Sequence, residues 1–221
     1  MFSAEMIELF RDGFGESLYM TVCATIFAYV LGLPWGVILS ITDKDGIRPN
    51  CVIYTVLDVV TNILRSIPFL ILLIWIQPVT RAVVGKSYGS SATMFPLFVA
   101  AAPFIARLVE SSLKEVDHGV IEAATSMGAS TWQIIYKVLL VEARTSLIVG
   151  VTIALGTILG YSAMAGTVGG GGLGDIAIRY GYHRREEEVM FVSVVLLVIL
   201  IQVLQGIGMK LAKVVDKRIS N

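Results

Sequence analysis

The sequence predicts an all-α polytopic membrane protein with five transmembrane helices. Three observations predict it. Hydrophobic residues make up 56% of the chain and mean hydropathy is +0.79, too apolar for a soluble domain of 221 residues. Five apolar segments, each near the roughly 20 residues needed to cross a bilayer, alternate with polar turns. Lys and Arg are shared unevenly between the two sets of connections. Seventeen basic residues balance seventeen acidic ones, so net charge gives no argument for nucleic acid.

Residues 1–16 carry Glu5, Glu8, Asp12 and Glu16 against Arg11, the reverse of a basic signal-peptide start. Met6, Ile7, Leu9, Phe10 and Phe14 suggest a short amphipathic helix lying at the outer membrane surface. The transmembrane domain then covers residues 17–211. Its first segment, 17–41, contains Gly32, Pro34 and Gly36, which predict a kinked and closely packed end. A polar turn at 43–50 leads to the second segment, 52–76. The third, 92–113, contains Pro96 and Pro103, and the fourth and fifth cover 146–165 and 189–211.

One side carries Lys44, Arg48, Arg107, Lys114, Lys137, Arg144, Lys210, Lys213, Lys217 and Arg218. The other carries Arg11, Arg81, Lys86, Arg179, Arg184 and Arg185, so the balance is ten against six. The richer side is expected in the cytoplasm. The N-terminus is then outside, and residues 117–141 and a tail at 212–221 are cytoplasmic.

The second segment has a polar stripe of Thr55, Asp58, Thr61, Asn62, Arg65 and Ser66 on one helical face. A charge at a helix centre costs about 2.5–3.5 kcal/mol on insertion scales, so this face should avoid lipid. It either packs on polar partners or lines a water-filled cavity. The cavity is favoured here, because no other span offers many polar partners. In the fourth segment Thr152, Gly156 and Gly160 repeat at i, i+4, which suits close helix contact within the chain or between two copies. The glycines of 166–188 permit irregular backbone at a mobile or closely packed site. Tyr180, Tyr182 and nearby basic residues there make a docking surface for an outside partner.

Several features carry no chemistry. Gly169-x-Gly171-x-x-Gly174 matches a dinucleotide fingerprint without its strand-turn-helix context, and Gly85-Lys86-Ser87 lacks the earlier glycine of a phosphate loop. Cys23 and Cys51 lie at different depths, and His118 and His183 on opposite sides, so neither a disulfide nor a metal site is expected. No nucleophile-base-acid set or paired carboxylates suggest catalysis.

Residues 117–141 are the most structured of the connections. Asp117 can cap a helix, and Val120, Ile121, Ala124 and Met127 share a face. Gly128 supplies a left-handed stop, and Ser130 with Gln133 forms a capping box for a second helix. The patterning alone fits equally a contact surface or an ordered connection that touches nothing.

Glu122-Ala123-Ala124, Gly128 and Val138-x-Leu140 resemble the EAA loop of ABC importer permeases. Val138 stands where that family usually has Ile, and Val141 where it has proline, which implies a less rigid exit from the loop. The stretches 65–69 (RSIPF), 102–107 (APFIAR), 160–164 (GYSAM) and 170–174 (GGGLG) resemble the methionine-type branch, and similarity extends over about 17–205.

The resemblance implies the type I importer permease fold in a bacterial plasma membrane. It implies a homodimer, two separate ATPase subunits and an external substrate-binding protein or lipoprotein. ATP and Mg would sit on the partner ATPase, with no cofactor on this chain. The coupling helix would be 120–133, with Glu122, Ala123, Ala124, Met127, Gly128 and Trp132 as its candidate residues. Asp58, Asn62, Arg65, Ser66 and Met164 are candidates for the translocation path. An ion-coupled carrier or channel working alone, through Asp58 and Arg65, is the competing reading. It lacks the ionisable relay and paired broken helices such carriers show. A membrane scaffold is a third.

Overall fold

Residues 4–216 are described in a computed structural model. Lys217, Arg218 and the end of the expected tail lie outside the described residues. Every regular element among the described residues is helical.

Helix α1 runs from Ala4 to Thr42 without interruption, and Pro34 lies inside it. The N-terminal residues are therefore an extension of the first span and not a separate helix. Phe10 is buried against Leu173, Ile176 and Val189, and Met6, Leu9 and Phe14 join this cluster. The apolar face that suggested a surface helix is largely covered by the chain itself.

The second apolar segment is broken. α2 (Cys51–Ser66) and α3 (Phe69–Trp75) meet at 96°. Ile67, before Pro68, is extended at φ −78° and ψ 122°, as proline's ring demands of its predecessor. Among the described residues four helices are long and apolar enough to cross a membrane, or five spans if this bent pair counts as one.

α4 (Gln77–Val84) leads to α5 (Ser90–Lys114). α6 (His118–Ser126) and α7 (Thr131–Gln133) form the connection at 117–141. A π-helical stretch, Ile134–Leu139, and α8 (Leu140–Glu142) carry the chain into α9 (Arg144–Ala165). α10 (Gly172–Ile176) and a second π-helical stretch, Ala177–Tyr182, precede α11 (Glu187–Val215).

The core lies where α1 crosses α5. Ala24, Ala28, Ala101 and Ala106 are fully buried. A Cβ added at Gly36 would fall 2.5 Å from the carbonyl oxygen of Ala106 and 2.6 Å from Val109, so the backbones nearly touch. The small face of α9 packs within the chain at Thr152, against Gly208, and at Gly156, near Gln205. Gly160 faces open space.

The segment 166–188 is closely packed. Thr93 donates to the Gly170 carbonyl at 3.2 Å, and Gly89 N–H to Gly169 at 3.0 Å. Glu16 accepts from Gly172 N–H at 2.7 Å and Ser17 Oγ from Leu173 N–H at 2.9 Å, so α1 caps α10 across the fold. Gly172 takes φ +76° with the Ser17 hydroxyl where a Cβ would stand, so both backbone and space call for glycine.

Candidate coupling surface and the ion-pair ladder behind it

The connection 117–141 is held by its own side chains. Asp117 Oδ1 accepts from Gly119 N–H at 2.7 Å and starts α6. At the other end Ala129 N–H reaches Ala124 C=O at 3.1 Å and Gly128 N–H reaches Thr125 C=O at 2.9 Å. These two bonds form a Schellman stop, with Gly128 at φ +78° as its left-handed residue. Ser130 Oγ accepts from Gln133 N–H while Gln133 Oε1 accepts from Ser130 N–H at 2.7 Å, the expected capping box.

The apolar residues of α6 divide between two faces. Ala124 is 6% exposed and Ile121 half-buried, both packed on the core with Ile134, Ile135 and Leu139. Val120, Ala123 and Met127, at i, i+3 and i+7, face outward, and Met127 is 81% exposed. The face expected to hold Val120, Ile121, Ala124 and Met127 together is thus split. Helical spacing alone does not tell which part of an apolar arc finds the core. Ala124 already packs within the chain, so it supports the outward residues from behind.

Glu122 is exposed, and its side chain makes no hydrogen bond or ion pair with another described residue. It lines a cleft of about 330 Å³ with His118, Asp43, Asp45 and Lys114. Trp132 belongs elsewhere. It is 72% exposed, its ring centre lies 6.5 Å from that of Tyr136, and both line a groove against α1. Val141, where proline was expected, lies in α8 and continues the helical path without a cap of its own.

Behind the loop runs a ladder of alternating charges. Arg107 on α5 pairs with Asp58 of α2 and donates to Asn62 at 2.9 Å and to Glu110 at 2.6 Å. Lys114 donates to Glu110 at 2.8 Å and to Asp43, just past α1, at 2.6 Å. Tyr54 donates to Glu110 at 3.3 Å, and Asn62 to Asp58 at 3.1 Å. Glu110 is 3% exposed, so its charge depends on these donors. The hydrogen bond from Lys114 holds Asp43 below the ordinary carboxylate range.

The ladder corrects the reason for favouring a cavity beside α2. The third span does offer polar partners, because Arg107, Glu110 and Lys114 fall at i, i+3 and i+7 on α5. That spacing was legible. In the sequence Arg107 and Lys114 count toward the charge bias between the two sides, and Glu110 falls inside the third apolar segment.

The remaining pathway candidates divide. Thr61 is buried and donates to its own helix at Leu57. Asn62, Arg65 and Ser66 are exposed in the single chain, and Arg65 has no partner among the described residues. Asp58 pairs with Arg107 and not with Arg65. Met164 is 52% exposed, one turn beyond Tyr161, whose ring stacks on Phe69 at 4.6 Å just after the α2–α3 bend. The structure thus joins the bend to α9.

Residues 32–221 match the family described as binding-protein-dependent transport system inner membrane component. The chain belongs to this family. It is the membrane component of a binding-protein-dependent transport system and a multi-pass inner membrane protein. It is 51% identical, over 92% of its length and 90% of the relative's, to the probable D-methionine transport system permease protein MetI of Vibrio cholerae. It is 42% identical to the methionine import system permease protein MetP of Bacillus subtilis, over 98% of this chain and 97% of that one. A solved inward-facing MetNI methionine ABC transporter matches with TM-score 0.96 and 46% identity, covering 98% of this chain and 100% of that one. The fold is therefore the permease fold of that transporter. An amino acid ABC transporter crystallised with histidines shares the fold at TM-score 0.77, covering 95% of each chain at 18% identity.

Proposed function

We propose that this chain is the permease of a methionine importer, paired with a second copy of itself and driven by two separate ATPase subunits. The observation that carries the coupling part is the outward stripe Val120, Ala123 and Met127 on a helix beyond the membrane spans. A rigid, capped helix presenting apolar side chains to water is a surface for a protein partner. Glu122 and Gly128 border the stripe, Gly128 fixing the turn and Glu122 facing the adjacent cleft. The methionine assignment rests on similarity to the MetI and MetP relatives over most of the chain.

The 117–141 loop and the C-terminal end are cytoplasmic, and the 166–188 side faces outward to an external binding protein. ATP binding draws the ATPase subunits together, and α6 carries their motion into α5 and α9. The spans then rock as rigid bodies and the path opens to alternate sides. The exposed face of α2 with Asn62, Arg65 and Ser66, and Met164 on α9, faces that path between two copies. ATP and Mg belong to the partner subunits.

Reconstitution tests this reading. Methionine uptake into proteoliposomes should require the ATPase, ATP and the binding protein together. Uptake by this chain alone under a proton or sodium gradient would overturn it.

A further inference from the structure

A groove of about 610 Å³ lies on the side of the molecule, between the end of α1 and the π-helical stretch after α7. That volume falls within the roughly 300–1,000 Å³ typical of small-molecule sites. One wall is Leu33, Val37 and Ile41 of the first span. Ile41 lies eight residues after Leu33, a helical rise of about 12 Å, so the groove runs that far along the first candidate span from its 117–141 end. The opposite wall carries the exposed rings of Trp132 and Tyr136, residue types that settle at the lipid headgroup level.

Arg48 stands at the same groove and is held there twice. Its backbone N–H donates to Ile41 C=O at 2.9 Å, and its Nε to Thr131 Oγ1 at 3.0 Å. Its side chain has no carboxylate partner among the described residues. A fixed guanidinium with its two terminal nitrogens open, above an apolar slot flanked by aromatic rings, matches one chemistry. The charge takes a phosphate and the slot takes an acyl chain.

We infer that this groove binds an anionic phospholipid of the leaflet on the 117–141 side, with Arg48 at its phosphate and an acyl chain along α1. A soluble ATPase cannot reach Leu33 and Val37 if they lie within the span, which favours lipid over that partner. Because Thr131 opens the second helix of the loop, the lipid would bridge the first span and the helix-turn-helix. The inference requires that α1 crosses the membrane. It does not depend on which side faces the cytoplasm, or on the transported substrate.

Trp132 itself reports occupancy. The full chain is made with Trp35→Phe and Trp75→Phe, leaving Trp132 as its only tryptophan. Trp35 Nε1 is buried without a partner and Trp75 is exposed, so neither change breaks a hydrogen bond. The chain is reconstituted in phosphatidylcholine vesicles containing 10% brominated phosphatidylglycerol or 10% brominated phosphatidylcholine. Quenching of Trp132 should favour the anionic lipid by roughly fivefold in apparent affinity, about the contribution of one basic residue near an anionic surface. Arg48→Ala should abolish that preference while quenching by the neutral lipid persists, and Arg48→Lys should retain part of it. Equal quenching by both lipids overturns the inference, as does a preference that survives Arg48→Ala. Absence of quenching by either lipid, as expected if a second copy of the chain covers the groove, overturns it as well.

Discussion

The two irregular connections flanking α9 are built on opposite principles. In 117–141 the order comes from local side-chain caps, Asp117, Ser130 and Gln133, and the loop leaves Met127 and Val120 in the open. In 166–188 the order comes from distant parts of the fold. Glu16 and Ser17 cap α10 across 156 residues, and Gly174 lies against the backbone of Ala163. The first takes its caps from within itself and rests on the core through Ala124 and Ile121. The second is a joint that fixes α1, α9 and α11 to one another. The lever proposed for 117–141 and the joint at 166–188 differ in their glycines. Gly128 has open space around it, whereas Gly174 has none.

The contrast is broken most sharply at the joint. Gly174→Val should cost about 3 kcal/mol or more, because the new side chain meets backbone that cannot yield. A lowered Tm of the purified chain would register it, and an unchanged Tm would mean that the joint tolerates slack. Next comes the ladder that supports the lever. Arg107→Ala leaves Asp58 with only Asn62 and should cost about 2–3 kcal/mol, below the roughly 3–5 kcal/mol of a fully buried broken pair, since both partners keep some access to solvent. Its measurement is the same thermal transition, with Arg107→Lys retaining part of the loss.

Gly128→Val should cost only about 1–2 kcal/mol, the penalty of a left-handed backbone without a clash. The chain should still insert and fold, while substrate-stimulated ATPase activity of the assembled transporter falls severalfold. Normal coupling in that variant would contradict the lever. The smallest effect concerns pH. Asp43 is held below its ordinary range by Lys114, so its link to α5 contributes fully above that range. The contribution is lost only as pH falls through the lowered value. Between pH 8 and 5 the difference in Tm between the wild type and Asp43→Asn should therefore stay constant, and it should shrink on further acidification.

What was legible in the sequence follows the same division. The caps of 117–141 lie within four residues of the groups they satisfy, so Asp117, Gly128, Ser130 and Gln133 announced themselves. The caps of 166–188 did not, because nothing in Glu16 or Ser17 points to Gly172 or Leu173, each 156 residues away. Pro68 marks where the second segment changes, but neither the 96° angle nor the stacking of Phe69 on Tyr161 of another helix can be read from local sequence. The ladder was half visible. Arg107, Glu110 and Lys114 share a helical face by spacing alone, yet their partners Asp58 and Asp43 are brought in by tertiary packing. The outward stripe was hidden for a related reason. Both sides of α6 are apolar, and only the fold shows that Ala124 turns inward and Met127 outward.

The central claim is that the stripe Val120, Ala123 and Met127 is covered by the ATPase. Ala123→Cys, in a chain with Cys23→Ala and Cys51→Ala, places one thiol in that stripe. Its labelling by a water-soluble maleimide should be fast in the isolated chain and at least tenfold slower in the assembled transporter. Equal labelling rates in the two states would contradict the account.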